Sequence, residues 1–132
     1  MRELDPQTIK ARFIEFLAEG IGCTVEDGAF KLDTPYILPD GRFIQLYIQL
    51  GPDWTLVVSD RGYATQQVTV FSEFEDKAKA RYEKIRELAR QLDPDYVEGE
   101  LRFMAENLDE ALRRIPVLAR AIVIALGMVT AG

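Results

Sequence analysis

The 132-residue chain contains no histidine and a single cysteine, Cys23. Without histidine, the chain alone cannot form a Ser–His or Cys–His catalytic pair or a zinc site with imidazole ligands. One cysteine excludes an intramolecular disulfide and a thiolate metal cluster. Because Cys23 stands between a glycine and a threonine at the start of a predicted strand, we expect a small buried residue. Its lack of a partner favours a reducing, cytoplasmic compartment.

The chain is also short of basic residues. It has 16 Lys and Arg against 22 Asp and Glu, a formal net charge of −6, and its hydrophobic content of 48% is that of a folded protein. The acidic balance argues against nucleic acid as a partner, because neutralising phosphates needs clustered Lys and Arg. The sequence shows no signal region, no membrane span and no self-sufficient catalytic motif. We therefore expect one domain over residues 1–132, with no membrane association and no cofactor.

The spacing of apolar residues predicts an α+β fold, an antiparallel β-meander flanked by three helices in the order α-β(5–6)-α-β(2)-α. A first helix begins at Asp5-Pro6, where an N-cap residue precedes a proline. One face of this helix is apolar and is expected to be buried. That face consists of Ile9, Phe13, Phe16 and Leu17. From residue 23 to residue 70 the pattern alternates, with long strands over about 30–70 and Asp-Gly turns at 27–28 and 40–41.

The second half of the chain is predicted to form a helix, a hairpin and a further helix. A capping box at Ser72–Glu75 predicts the start of a helix, and Glu98-Gly99 predicts a hairpin turn. The last helix is predicted from Asn107 to about Gly127, with Pro116 inside it. A helix followed by a hairpin thus occurs twice, over residues 6–33 and 72–105. This similarity is either an internal repeat or the convergence of two common units.

Several aspartates fall at predicted strand ends and turns. Asp33, Asp40 and Asp60 would hold Mg²⁺ or Mn²⁺ and position a water if they converged. Aspartate is also a preferred turn residue, because its carboxylate accepts hydrogen bonds from nearby backbone N–H groups. We favour the turn interpretation, since the spacing of the three aspartates is not that of a regular ligand set, and we predict no metal.

Polar and aromatic residues near these aspartates complete the candidate site. We expect its members to lie at one end of the sheet. They are Asp33, Thr34, Tyr36, Asp40, Ser59, Asp60 and Gly62. Four aromatic residues form either a stacking platform for bases or ordinary core and cross-strand contacts, and we expect the latter. They are Tyr36, Phe43, Tyr47 and Trp54.

The same stretch carries a family resemblance. Leu32-Asp-Thr-Pro-Tyr-Ile-Leu-Pro-Asp-Gly-Arg-Phe-Ile, followed by Leu56-Val-Val-Ser-Asp-Arg-Gly-Tyr-Ala, resembles the central motif pair of family 1828 of the domains of unknown function. The later helix, the hairpin at 97–101 and the apolar last helix also resemble the layout of that family. The resemblance implies a small prokaryotic or phage-encoded protein and no particular activity. Arg61 departs from the family pattern, which has an acidic residue after Ser-Asp.

Three hypotheses of function follow from the sequence. The first is a non-enzymatic interaction module that forms a homodimer through a second apolar face of the last helix. That face consists of Val117, Ala121, Ile124 and Met128. The second is a metal-dependent hydrolase or nuclease that uses Asp33, Asp40 and Asp60. The third, based on net charge, is an acidic protein that blocks a nucleic-acid-binding partner.

Overall fold

The computed structural model describes residues 4–70 and 75–130, and side chains at 75–76 and 128–130 are outside this description. Within these ranges the chain forms four α-helices and six strands, and the predicted α+β class is confirmed. The elements are α1 Pro6–Glu19, β1 Gly22–Glu26, β2 Ala29–Ile37, β3 Phe43–Leu50, β4 Leu56–Ser59, α2 Tyr63–Val70, α3 Glu75–Gln91, β5 Asp95–Val97, β6 Glu100–Ala105 and α4 Leu108–Thr130. The predicted capping box at 72–75 lies mostly outside the described residues.

All six strands belong to one antiparallel sheet in the order β1-β2-β3-β4-β6-β5. The hairpins β1–β2 and β5–β6 stand at opposite edges of this sheet. Both turn at an acidic residue followed by glycine, with φ of 51° and 78° at Asp27-Gly28 and 53° and 80° at Glu98-Gly99. Two successive positive φ values match the right-handed twist of a hairpin, as the sequence predicted for both turns.

Helices α2, α3 and α4 cover one face of the sheet over β3, β4 and β6. The strands contribute Leu46, Val58 and Phe103 to this core, and each of these side chains is buried. Leu118 and Ile122 of α4 pack against them, because the i, i+4 spacing puts both on one side of the helix. α4 runs without interruption through Pro116. In the described part of the chain, no helix is long and apolar enough to cross a membrane.

One predicted strand is a helix. Residues 64–70 alternate like a strand, yet Tyr63–Val70 is α2. Ala64 and Val68 are four residues apart and both are fully buried in the core, so packing of one helical face prevails over the β preference of the threonines and valines. The sheet therefore has four strands before the central helices, and the fold has four helices rather than three.

The predicted burial of α1 is wrong. None of its residues is buried, and Ile9, Phe13 and Phe16 are 54%, 62% and 60% exposed. Leu17 is only half-buried. The prediction for Cys23 is wrong as well, because this thiol is exposed. The reason is the same for both: α2–α4 cover the strands from β3 to β5, and no described helix covers the β1 edge of the sheet.

Candidate functional site

A pocket of about 600 Å³ lies where the sheet splits at the ends of β3 and β4. The β3–β4 ladder begins at the pair Tyr47 and Ser59, so the first half of β3 has no strand partner on its β4 side. Beyond Ser59 the chain turns away into α2. The pocket opens between the free part of β3 and this turn. Its lining is Gly20, Asp33, Leu38, Arg42, Phe43, Ile44, Gln45, Tyr47, Asp60, Arg61, Tyr63, Gln66 and Ile122.

Asp60 fixes the turn between β4 and α2. Its side chain accepts hydrogen bonds from the backbone N–H groups of Gly62 at 2.8 Å, Ala64 at 3.1 Å and Leu101 at 3.1 Å. The carboxyl is 2% exposed. Burial raises the pKa of Asp60 to about 6, although the three N–H donors act in the opposite direction. Both carboxyl oxygens are thus used to hold the start of α2 against β6.

The Ser59 side chain is buried and hydrogen-bonded within the sheet. Its hydroxyl donates to the carboxylate of Glu100 and accepts from the backbone N–H of Arg61 at 2.8 Å. The residue is 5% exposed, so a substrate has almost no access to its oxygen. The bond to Glu100 ties β4 to β6, the neighbouring strand. A buried, fully bonded hydroxyl of this kind stabilises the sheet rather than acting as a nucleophile.

Thr34 and Asp33 belong to an irregularity in β2. The β2–β3 register shifts between Asp33 and Ile37, and the Thr34 hydroxyl donates to the Ile44 carbonyl at 2.7 Å. This bond substitutes for a ladder bond where Pro35 has no N–H to donate. Asp33 accepts from the side-chain amide of Gln45 at 3.1 Å.

Asp40 is part of an exposed turn. Its carboxylate accepts from the Arg42 backbone N–H at 3.0 Å and from the Arg42 guanidinium at 2.7 Å. The backbone hydrogen bond, followed by the side-chain bond and the positive charge of Arg42, lowers the pKa of Asp40. Arg42 also donates to the hydroxyl of Tyr63, which connects this turn to α2. Asp40 therefore orients Arg42 from outside the pocket.

The structure brings together only part of the predicted site. Of the seven candidate residues, Asp33 and Asp60 line the pocket. The others do not line it, and those others are Thr34, Tyr36, Asp40, Ser59 and Gly62. Across residues 4–70 and 75–130, no group of three or more His, Cys, Asp or Glu side chains could hold a metal ion. Asp33, Asp40 and Asp60 therefore do not form a ligand set, because each is bonded to donors of its own.

The sequence reasoning missed the basic side of the pocket. Arg61 is half-buried, and its guanidinium lies 4.3 Å from the centre of the Tyr47 ring. Arg61 and Gly62 both adopt positive φ, 52° and 79°, and this backbone conformation sets Arg61 beside β3 as the chain leaves β4. The signal in the sequence was the arginine between Asp60 and Gly62, in a turn otherwise made of acidic and small residues.

None of the four aromatic residues is a fully buried core residue, but Phe43 and Tyr47 make the expected cross-strand contacts. Tyr36, Phe43 and Trp54 are exposed, and Trp54 is 84% exposed on a short 3₁₀ turn. Tyr47 is half-buried, opposite Lys31 on β2 and Ser59 on β4. Trp54 lies on the turn at the far end of β3, so the four rings form no single platform.

The predicted self-association face of α4 is largely used within the chain. Ala121 is fully buried within the chain, so its side chain is not available to the self-association contact predicted for this face. Val117 and Ile124 are half-buried, and the side chain of Met128 lies outside the described residues. The physical reason is that α4 is the central helix of its layer, in contact with α2, α3, β4 and β6.

The uncovered apolar residues are instead near the N-terminus. On α1 they are Ile9, Phe13, Ile14 and Phe16, which we call the α1 surface. Close to it in the chain, Val25 and Phe30 are a cross-strand pair on the face of the sheet that carries the helices. They are 74% and 54% exposed, because α2–α4 do not reach β1.

Comparison of the chain with known protein families, with curated proteins and with solved structures finds no match in any of the three. The resemblance to family 1828 therefore stays a prediction.

Proposed function

We propose that the protein is a non-enzymatic interaction module that self-associates, and that its contact is the α1 surface. The observation that carries this proposal is an amphipathic helix with no buried residue. α1 has 14 residues, a length at which an isolated helix is marginal in water unless its apolar face is packed. Among the described residues of its own chain, nothing buries that face.

The area of the uncovered residues fits a second copy of the chain. The α1 surface exposes roughly 500 Å² per chain, and Val25 and Phe30 expose roughly 200 Å² more on the β1–β2 hairpin, given the size of large apolar side chains. A dimer contact that covers both sets of residues on two copies buries roughly 1,400 Å², which is within the range of stable protein–protein interfaces. A dimer with twofold symmetry buries the same residues on both partners, so one apolar surface per chain is enough to form it.

Charge on α1 supports pairing of two such helices. Arg12 and Glu15 lie on one flank of the apolar stripe and form an ion pair at 2.6 Å within the chain. When two α1 helices pack antiparallel about a twofold axis, each flank faces the same flank of the second copy. With the twofold axis at Phe13 and Ile14, Arg12 of each copy faces Glu15 of the other, so the charges are complementary.

The same charges disfavour a membrane surface as the occupant. Lys10 and Arg12 are balanced by Glu15 and Glu19, so the helix carries no net positive charge. Amphipathic helices that bind anionic lipids are rich in Lys and Arg on their polar face. A second copy of the chain is therefore the occupant that the charges and the area favour.

The test is the oligomeric state of Phe13→Glu compared with Ala11→Glu. Ala11 lies on the side of α1 opposite Phe13 and Phe16 and is also exposed, so this control adds the same charge to the same helix. Sedimentation velocity up to high micromolar concentration should show dimers for the wild type and Ala11→Glu, and monomers for Phe13→Glu. Urea unfolding of the core should be similar in all three, since α1 has no buried residue.

Two results would overturn the proposal. One is a wild-type protein that stays monomeric at the highest concentration. The other is a Phe13→Glu variant that dimerises as strongly as the Ala11→Glu control.

A further inference from the structure

The two arginines of the pocket differ in their partners. Arg42 is ion-paired with Asp40 at 2.7 Å. Arg61 stacks on Tyr47, and among the described residues no carboxylate lies within ion-pair distance of its guanidinium. A half-buried guanidinium keeps its charge and offers planar donors that match an oxyanion. Among the described residues, Arg61 is thus a cation at the pocket without an anionic partner.

The acidic residues of the pocket do not fill this role. Asp60 directs both oxygens to the backbone N–H groups of Gly62, Ala64 and Leu101. Asp33 accepts from the amide of Gln45 on β3. Both pocket carboxylates are thus bonded to donors other than Arg61. The Arg61 guanidinium can therefore bind an anionic group that enters the pocket from solvent.

The rest of the lining suits the body of a small organic molecule. Leu38, Ile44 and Ile122 give the pocket an apolar side, and the Tyr63 ring adds an aromatic wall. A volume of about 600 Å³ is that of a small-molecule site. The free half of β3 adds backbone hydrogen-bonding groups, since the register pairs these residues with β2 but not with β4.

We propose that this pocket binds a small organic anion, in which an apolar or aromatic body carries a carboxylate or phosphate group, and that Arg61 binds the oxyanion. Arg42 is the second cation, positioned by Asp40 at the rim. Guanidinium groups bind carboxylates and phosphates through paired N–H donors, so the geometry defines the shared oxyanion chemistry. The body of the ligand lies toward Ile44 and Ile122.

The test uses benzoate and phenyl phosphate as the two anionic probes and benzyl alcohol as the neutral one. Binding is followed by the shifts of backbone amide signals around residues 60–66 in NMR titrations. For fragments of this size we expect dissociation constants on the order of 1–10 mM for at least one anion. The preferred anion identifies the headgroup as carboxylate or phosphate.

The matched variants are Arg61→Gln and Arg102→Gln. Arg102 is also half-buried and is in register with Ser59, but it does not line the pocket. Arg61→Gln should raise the dissociation constant of the preferred anion about tenfold or more, because a charge-assisted hydrogen bond is lost. Arg102→Gln should leave binding unchanged, and Arg61→Lys should restore part of it.

Three results would overturn this site. The first is the absence of amide shifts with both anions. The second is equal binding of benzyl alcohol and the anions, which would indicate apolar adsorption. The third is equal weakening by Arg61→Gln and Arg102→Gln, which would indicate general charge screening. A folded amide spectrum of each variant shows that lost binding is not lost structure.

Discussion

The buried carboxyl of Asp60 should make stability depend on pH in a direction opposite to the usual one. Its pKa is raised from an ordinary value of 3.8 to about 6 in the folded chain. Between these two values the folded state binds more protons than the unfolded state. The contribution of Asp60 to the free energy of unfolding should therefore rise as pH falls from 7 to 4, rather than fall. A shift of about two pKa units corresponds to about 3 kcal/mol.

The Asp60→Asn variant isolates this effect. Other carboxyl groups titrate in both proteins, so the difference in unfolding free energy between wild type and variant reports Asp60. Urea denaturation from pH 8 to pH 4 should show the wild type gaining up to about 3 kcal/mol relative to Asp60→Asn. The carboxyl ¹³C shift of Asp60 in the wild type gives the same pKa if the variant does not fold.

The opposite slope would refute the reasoning. Three backbone N–H groups donate to Asp60, and such bonds stabilise the charged form. If they outweigh burial, the wild type will lose stability relative to the variant as pH falls. A flat difference would mean that burial and hydrogen bonding cancel.

Two further predictions concern single hydrogen-bonding side chains. Thr34→Val should lower the free energy of unfolding by about 1–3 kcal/mol in urea denaturation, because it leaves the Ile44 carbonyl without the Thr34 donor in a buried position. Asp5→Ala should reduce the helical circular dichroism signal of α1 without moving the urea midpoint, since Asp5 caps this helix through the Thr8 N–H at 2.9 Å and α1 has no buried residue.

Each of these variants has a control. Thr24→Val on β1 changes an exposed threonine and should stay within about 0.5 kcal/mol of the wild type. An equal loss for Thr24→Val and Thr34→Val would contradict the role of the β2 irregularity. Asp5→Asn keeps a capping oxygen and should retain the dichroism signal, whereas a shifted urea midpoint in Asp5→Ala would mean that α1 contributes to the stability of the core.

Local signals predicted much of the fold because they act within a few residues. Two-residue hairpin turns require two positive φ values, and the turns of this kind stand where the sequence has Asp27-Gly28 and Glu98-Gly99. Asp5 caps α1 as expected, and Asn107 accepts from the Glu110 N–H at the start of α4. These features depend on backbone sterics and on hydrogen-bond donors a few residues away, so the local sequence is enough to predict them.

The predictions fail where contacts between residues distant in the sequence determine the structure. The sequence of α2 predicts a strand, and its packing against α3 and α4 favours the helix instead. The apolar stripe of α1 has the correct period, yet periodicity does not say whether a covering element exists in the same chain. The pocket depends on where the β3–β4 ladder ends. That end is set by the capping role of Asp60, and its three donors come from residues as distant as Leu101.

The contrast between α1 and α4 separates two kinds of substitution along one chain. α4 contacts two helices and two strands, so a change on its inner face alters folding itself. α1 has no buried residue, so substitutions there leave the rest of the fold intact and change only the contacts that the protein makes with other molecules. The N-terminal helix can therefore diverge toward new contacts, while the remainder keeps the architecture constant.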